Sequence, residues 1–298
     1  MKWRIPAKTF LLGEYAAVAG APAIVLTTSP CFELAFTDDT KVQGIHPESP
    51  AGQWWTHHRI PSRGLVWRDP YDGKGGLGAS SAQFLGVYLA SCRLLQVVPS
   101  KKALLDAYYQ CAWQGEGLKP SGYDLLAQSQ NGCVYIDREQ HIIKSYDWVF
   151  KDISFLLLHS GQKLATHYHL KNIRLPNSIN QLSATVELAH DAFEQADSEK
   201  LVQAVNSYEQ QLSSLGLVAP HSQEHIRTFN SQADVLAAKG CGALGADVLL
   251  LIIPSAGLKA KVKNLAAEGW TVLATSEDLY AGRTLMKNKP HKTLEILP

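Results

Sequence analysis

Leu182, Val186, Ala189 and Phe193 recur every three or four positions, and so do Leu201, Val205, Tyr208 and Leu212. That is the spacing of one buried helix face. The polar pair Asp197-Ser198 lies between the two stretches, so residues 181–214 are expected to form a helix broken in two. Shorter helical patterns cover 82–95, 102–113, 222–238 and 259–268, the last closed by Gly269. Apolar or alternating runs predict strands at 9–12, 23–28, 31–36, 132–136, 153–159, 248–253 and 270–274. The stretch 38–70 is polar and rich in Pro, Gly, His and Trp, and reads as loop and edge structure with one strand at 64–67. Helices and strands mix without a regular βαβ alternation, which predicts an α+β protein. The second half begins near residue 150, giving expected domains 1–150 and 151–298. There is no internal repeat and no low-complexity segment.

The chain has 298 residues, 46% of them hydrophobic, enough for one large or two medium domains with a sizeable core. A net charge of +1 gives no basis for a nucleic-acid or membrane partner. The strongest apolar runs, 155–158 and 248–253, fall far short of the roughly 20 residues a membrane helix needs. Residues 1–6 do not read as a signal peptide. Cys31, Cys92, Cys111, Cys133 and Cys241 form no C-x-x-C pair and read as reduced core thiols of a cytoplasmic protein.

The chemistry concentrates in Gly73-Lys-Gly-Gly-Leu-Gly-Ala-Ser-Ser-Ala82, a glycine-rich loop leading into an apolar helical run. Glycines let backbone N–H groups turn inward, and a helix N-terminus adds unpaired donors and partial positive charge. Together they make a phosphate cradle, with Ser80 and Ser81 each offering an oxygen to magnesium. Gly73-x-Gly75-x-x-Gly78 formally matches the dinucleotide fingerprint, but no buried strand leads straight into it and no acid follows at the right distance. Gly240-x-Gly242-x-x-Gly245 also matches, with its apolar strand 248–253 placed after the glycines instead of before. No G-x-x-x-x-G-K-S/T occurs, so this is not a Walker-type site.

Other residues catch the eye for simpler reasons. His221-Ser-Gln-Glu-His225 matches an inverted zinc-protease pattern but lacks a third ligand. Trp54-Trp55-Thr-His-His58 reads as cover over core edges on a loop or hairpin. His167 and His169, with Lys163 and Thr166 nearby, follow the 153–159 strand and are as well suited to a substrate loop as to a bland surface.

The order of motifs is more specific than any one of them. Pro6-Ala-Lys-Thr-Phe-Leu-Leu-Gly-Glu-Tyr15 comes first, then the glycine loop, then Gln114-Gly-Glu-Gly-Leu-Lys-Pro-Ser-Gly-Tyr-Asp124, then Lys239-Gly-Cys-Gly-Ala-Leu-Gly-Ala-Asp247. This series resembles the GHMP kinase superfamily, whose motifs read P-x-K-x-x-L-x-G-E-H/Y, P-x-x-x-G-L-G-S-S-A-A and K-x-x-G-A-G-G-G-D/G/C. The resemblance runs from Lys8 to Ile253. It implies a ribosomal-protein-S-five-like N-terminal domain, a ferredoxin-like C-terminal domain and an active site between them. It implies ATP bound by Gly75, Gly76, Leu77, Gly78, Ala79, Ser80, Ser81, Gly242 and Gly245, with magnesium held by Ser80 and Glu116. It also implies Asp124 as the base and Lys8 as its partner, stabilising the charge that develops in phosphoryl transfer.

Taken alone, each of these residues has a plainer reading: Lys8 as an exposed strand-end lysine, Asp124 as the N-cap of a helix over 125–130, Glu116 as a solvated helix-end acid, Ser80 as a cap. Asp72, Ala79, Leu244 and Ala246 depart from the family pattern; the last two replace glycines and put a Cβ near the phosphates. Glu14-Tyr15 and Asp247 favour phosphomevalonate as the acceptor, with mevalonate as the alternative. A related decarboxylase and a non-catalytic ligand-binding protein are further readings, and a homodimer stays open. Phosphomevalonate's extra charge calls for another cation, with Arg63, Arg68, Lys74, Lys101 and Lys163 as candidates.

Overall fold

The computed structural model of the chain describes residues 1–57, 63–161, 179, 181–245 and 247–286. Its first half is built on two long antiparallel strands, β1 (Lys2–Leu12) and β2 (Ala23–Thr37). The expected break at Ser29-Pro30 is absent. Proline has no N–H to give a ladder, and β1 accommodates it with a register shift between Ile5 and Ala7. β2 therefore runs through, and the separate strands expected at 23–28 and 31–36 are one.

β3 (Val42–Gln43) pairs in parallel with β4 (Gly64–Arg68), and β4 pairs with the far end of β2. Between them lies a helix missed in the polar stretch, α1 (Pro50–His57). Its Trp55 is buried and its Trp54 ring lies 6.0 Å from both Phe84 and Tyr88, so the tryptophans do cover the core, from a helix and not a hairpin. α2 (Ala79–Leu94), α3 (Lys101–Ala112) and α4 (Tyr123–Gln128) follow. β5 (Cys133–Asp137) pairs with the near end of β2, and β6 (Ile142–Tyr146), an amphipathic edge strand without a strong apolar signal, closes the sheet.

The second half opens with β7 (Ile153–His159). The long helical pattern is broken as expected: α5 (Gln181–Gln195) and α6 (Ser198–Ser214) are separated at Asp197, whose carboxylate caps α6 by accepting from the Lys200 amide. α7 (Pro220–Asn230) ends earlier than the 222–238 pattern implied. The chain turns, with Asp234 and Gln232 both accepting from Lys261, and enters β8 (Ala237–Cys241). Alanine-rich sequence favours helix locally, but β8 is buried at every position, between β9 (Val248–Pro254) and the covering α6. A strand thus also precedes the second glycine run. It is followed by another strand, so the dinucleotide pattern still lacks its helix.

α8 (Leu258–Ala267) and β10 (Thr271–Thr275) complete a four-stranded antiparallel sheet ordered β10-β7-β9-β8. This is an α+β architecture of two sheets. The segment after β10 returns to the first sheet, where the Tyr280 amide donates to the Thr27 carbonyl and the Leu285 amide to that of Ser129. Four of the five cysteines are buried, as expected of core thiols, and Cys111 is half-buried. No helix among the described residues is long and apolar enough to cross a membrane.

Candidate functional site

Lys8 lies inside β1, not at an exposed strand end. Its side chain is 9% exposed, and its ammonium sits 3.1 Å from the Asp124 carboxylate, which is 36% exposed. Its Nζ also lies 4.9 Å from the centre of the Phe10 ring, on the same face of the pleat. Burying an ammonium this deep is costly without an opposite charge beside it, and Asp124 supplies that charge from the side that opens outward.

The glycine loop packs directly on this pair. The Lys8 amide donates to the Leu77 carbonyl. A Cβ at Gly78 would stand 2.7 Å from Cγ of Lys8, and one at Gly76 would stand 2.6 Å from the Val248 side chain and 2.8 Å from Cβ of Asp247. Both glycines have φ near +79° (79° and 78°), where a side chain is strained in any case. The loop is therefore wedged between the first motif and the third. Gly78 caps α2, Ala79 opens it, and Ser80 stands exposed in its first turn. Ser81 differs from expectation: it is buried, and its hydroxyl donates to the Gly78 carbonyl, so Ser80 is the serine that faces outward. Lys74 and Asp247 both act on His159 at the end of β7; burial and the Lys74 charge pull its imidazole below the ordinary range, against Asp247.

Asp124 is not the N-cap of its helix. Gly122, in the left-handed region at φ 75°, caps α4, and Asp124 is its second residue. The turn is held by its own surroundings: the Tyr109 hydroxyl and the Arg138 guanidinium both donate to the Ser121 carbonyl, at 3.1 and 2.8 Å. Tyr123, fully buried, donates back to the carbonyls of Gly20 and Ala21. Burial pushes the Tyr108 phenol up, and the Asp124 charge adds to that. Beside the turn, Lys119, Pro120, Arg138, Glu139 and Gly20 line an open depression of about 290 Å³. Lys119 is held there over the Tyr109 ring at 3.8 Å.

The third motif meets the first. Lys239, fully buried, donates to the Glu14 carboxylate at 2.5 Å and to the Cys241 sulfur at 3.5 Å. Burial pushes the Glu14 carboxyl up, and the Lys239 ammonium draws it back. The Leu244 amide donates to the Tyr15 hydroxyl at 2.7 Å. Leu244 itself adopts φ 53°, ψ 21°, the left-handed conformation a glycine would take there, at a cost of about 1 kcal/mol. Its Cβ therefore does not reroute the loop. The start of α7 braces this turn, with the Ala219 amide on the Leu244 carbonyl and the Ser222 hydroxyl on that of Gly245. Ala246 lies outside the described residues.

No protein-family model matches the sequence, and no curated protein matches it. Solved structures do. Phosphomevalonate kinase of Streptococcus pneumoniae, bound to phosphomevalonate and AMPPNP, superposes with a TM-score of 0.75 at 17% identity, over 92% of this chain and 99% of its own. Mevalonate kinase of Methanococcus jannaschii gives 0.70 at 14% identity, over 92% and 97%. Galactokinase of Lactococcus lactis, with galactose, gives 0.69 at 12% identity, over 91% and 92%. The chain has the two-domain GHMP kinase fold.

Within that fold, the glycine loop packs on Lys8 on one side and on Asp247 on the other, and the third motif meets the first through Lys239–Glu14 and Leu244–Tyr15. Glu116 is exposed after α3, where its carbonyl accepts from the Trp113 indole. Ser80 and Glu116 are hard oxygen donors on exposed positions, of the chemistry magnesium prefers. Among the described residues no three His, Cys, Asp or Glu side chains gather as a metal site; His225 of the zinc-like pattern packs edge-on against Trp270. His58, Lys163, Thr166, His167 and His169 lie outside the described residues. Of the expected cations, Arg68 is exposed as the last residue of β4, and Arg63 is exposed over the Phe36 ring. Lys119 and Arg138 were not among the expected cations. Lys119 sits inside the 114–124 motif and was legible there; Arg138 carries no sequence signal, because its place beside Ser121 depends on β5.

Proposed function

We propose that this protein is an ATP-dependent small-molecule kinase that phosphorylates phosphomevalonate. The observation that carries the reading is the Lys8–Asp124 pair, 3.1 Å apart, packed under a glycine loop at the start of a helix. Phosphoryl transfer asks for positioning, charge neutralisation and a group to take the acceptor's proton. The nucleophile is an oxygen of the acceptor's own phosphate (for mevalonate, its hydroxyl), and Asp124, held at the mouth of the pair, takes the proton that oxygen still carries. That oxygen bonds to the γ-phosphorus, the bond from that phosphorus to the β–γ bridging oxygen breaks, and ADP leaves. Lys8 holds positive charge where the transferring group spreads negative charge. The N–H groups of Ala79, Ser80 and Ser81, with the glycine loop and the third-motif glycines Gly242 and Gly245, cradle the triphosphate. Ser80 and Glu116 would hold magnesium, which neutralises phosphate charge when bound. In this reading residues 1–150 form the ATP-binding domain and 151–298 the C-terminal domain.

The choice of acceptor rests on charge. Lys119 and Arg138 stand beside the Asp124 turn and offer two cations to an anionic acceptor. The S. pneumoniae neighbour, bound to phosphomevalonate, supports the same choice, and mevalonate is the second reading. The experiment is ADP release with magnesium-ATP across phosphomevalonate, mevalonate, homoserine and sugars. A higher kcat/KM for mevalonate replaces the acceptor; no release with any of them, together with ATP binding, makes the protein a binding protein.

A further inference from the structure

Four charged side chains alternate in sign from the exposed side inward. Asp124 is 36% exposed, Lys8 9%, Glu14 6% and Lys239 0%. The outer two are paired at 3.1 Å and the inner two at 2.5 Å. Lys8 also acts on Glu14 through space, as the second cation drawing its carboxyl downward against burial. One Glu14 oxygen, Oε1, takes the Lys239 ammonium; the other, Oε2, is buried and accepts no hydrogen bond among the described residues. The Tyr208 hydroxyl donates to the Glu14 backbone carbonyl and not to its carboxylate, and the Tyr208 ring lies 5.9 Å from the Lys239 ammonium. Glu14 therefore has capacity for a second donor, and Lys8 is the flexible cation within its field.

We propose that Lys239 is a positioning residue for phosphoryl transfer: by occupying Glu14 from the second sheet, it leaves Lys8 on Asp124. The proposal rests on the kinase reading and deepens it. Among the described residues, the polar partners of Lys239 are Glu14 and Cys241, not Asp124 or the glycine loop. Lys239 acts through Glu14, six residues beyond Lys8 and 225 residues before Lys239 in sequence. Without Lys239, Glu14 keeps only its own backbone N–H as a donor, and a buried carboxylate with no cation paired to it is strongly unfavourable. The remaining cation in reach is drawn inward, and Asp124 loses its partner. Removing the Glu14 charge as well removes the pull, so Lys8 returns.

Steady-state kinetics and two crystal structures test this. Lys239→Met should lose about 10²-fold in kcat, the scale of a misplaced catalytic group, with KM for ATP and acceptor changed by less than about threefold. Adding Glu14→Gln to Lys239→Met should recover most of the lost kcat. A structural role alone would lower Tm in the single variant without this rescue. The crystal structure of Lys239→Met should have the Lys8 ammonium on Glu14, and that of the double variant should have it back on Asp124. Lys8 left on Asp124 in Lys239→Met overturns the proposal, whatever the turnover. If Lys239→Met is too unstable to purify, the double variant, which leaves no buried charge unpaired, decides by itself: a folded double variant slower by about 10²-fold or more overturns the proposal. The kinase reading fails separately, by absence of ADP release from the wild-type chain, and the position of Lys8 in the two crystal structures still reads the pairing.

Discussion

Gly78 and Lys8 touch so closely that a β-carbon on the glycine would stand 2.7 Å from Cγ and 2.9 Å from Cε of the lysine. The stem of Lys8 thus forms one wall of the loop that is read as the phosphate cradle, and the loop fixes the lysine's path to Asp124. Gly78→Ala should therefore act on chemistry as well as folding. At φ +78° the alanine is strained by about 1–2 kcal/mol, and the added methyl group displaces Lys8. We expect a lower Tm and a loss of about 10-fold or more in kcat. An alanine variant with wild-type kcat would show that the loop does not position the lysine.

Asp124→Asn keeps the shape of the side chain and removes the proton acceptor. Its kcat should fall by about 10²-fold or more, with acceptor KM largely kept. Lys8→Met should also slow turnover, because it removes positive charge beside the transferring group. Near-wild-type rates in both variants would remove the pair from the mechanism.

Ser80 is the outward-facing serine of α2, and Ser81 is tied to the Gly78 carbonyl. Ser80→Ala should raise the magnesium concentration needed for half-maximal rate. Ser81→Ala should instead lower Tm, with a hydrogen bond worth about 1 kcal/mol removed. The check is a magnesium titration of each variant, and a reversed pattern would exchange the two roles.

Lys119→Ala should raise KM for phosphomevalonate more than KM for ATP. The effect should shrink with added salt, since charge attraction at an exposed site is screened. Arg138→Ala should raise the same KM and also lower kcat, because Arg138 holds the Ser121 carbonyl of the turn that carries Asp124. Equal KM changes for both substrates would place the acceptor elsewhere.

His159 gives the pH dependence a sign. Its imidazole is held below the ordinary range by burial and then by Lys74, so the folded chain prefers it neutral. The unfolded chain takes up the proton first as pH falls below about 6.5. Stability contributed by neutral His159 is therefore complete above that pH and is lost as pH falls toward the folded value. Thermal unfolding of His159→Gln should depend less on pH between about 7 and 5.5 than wild type. An unchanged slope would assign the acid sensitivity to other groups.

Much of this arrangement is legible along the chain because it is local. Helical spacing places α5 and α6, and Asp197 marks the cap between them, because capping needs only neighbours in sequence. The glycine run is readable because a phosphate cradle needs glycines and a helix start at short spacing, whereas Lys8 and the 114–124 motif carry meaning in the sequence only through the family resemblance. Other features are not local. β8 has an alanine-rich sequence that reads as helix, and its burial under α6 overrides that preference. α1 and β6 lack a strong apolar period, since each packs by a few side chains. Lys8 looks like a surface lysine until Asp124, 116 positions away, comes to 3.1 Å from it. Glu14 and Lys239 are ordinary charges until the two sheets meet and close them into one buried pair. Residue type and spacing name the groups that can do chemistry. Which charges lose their water, and which partners then become obligatory, depends on surfaces brought together from distant parts of the chain.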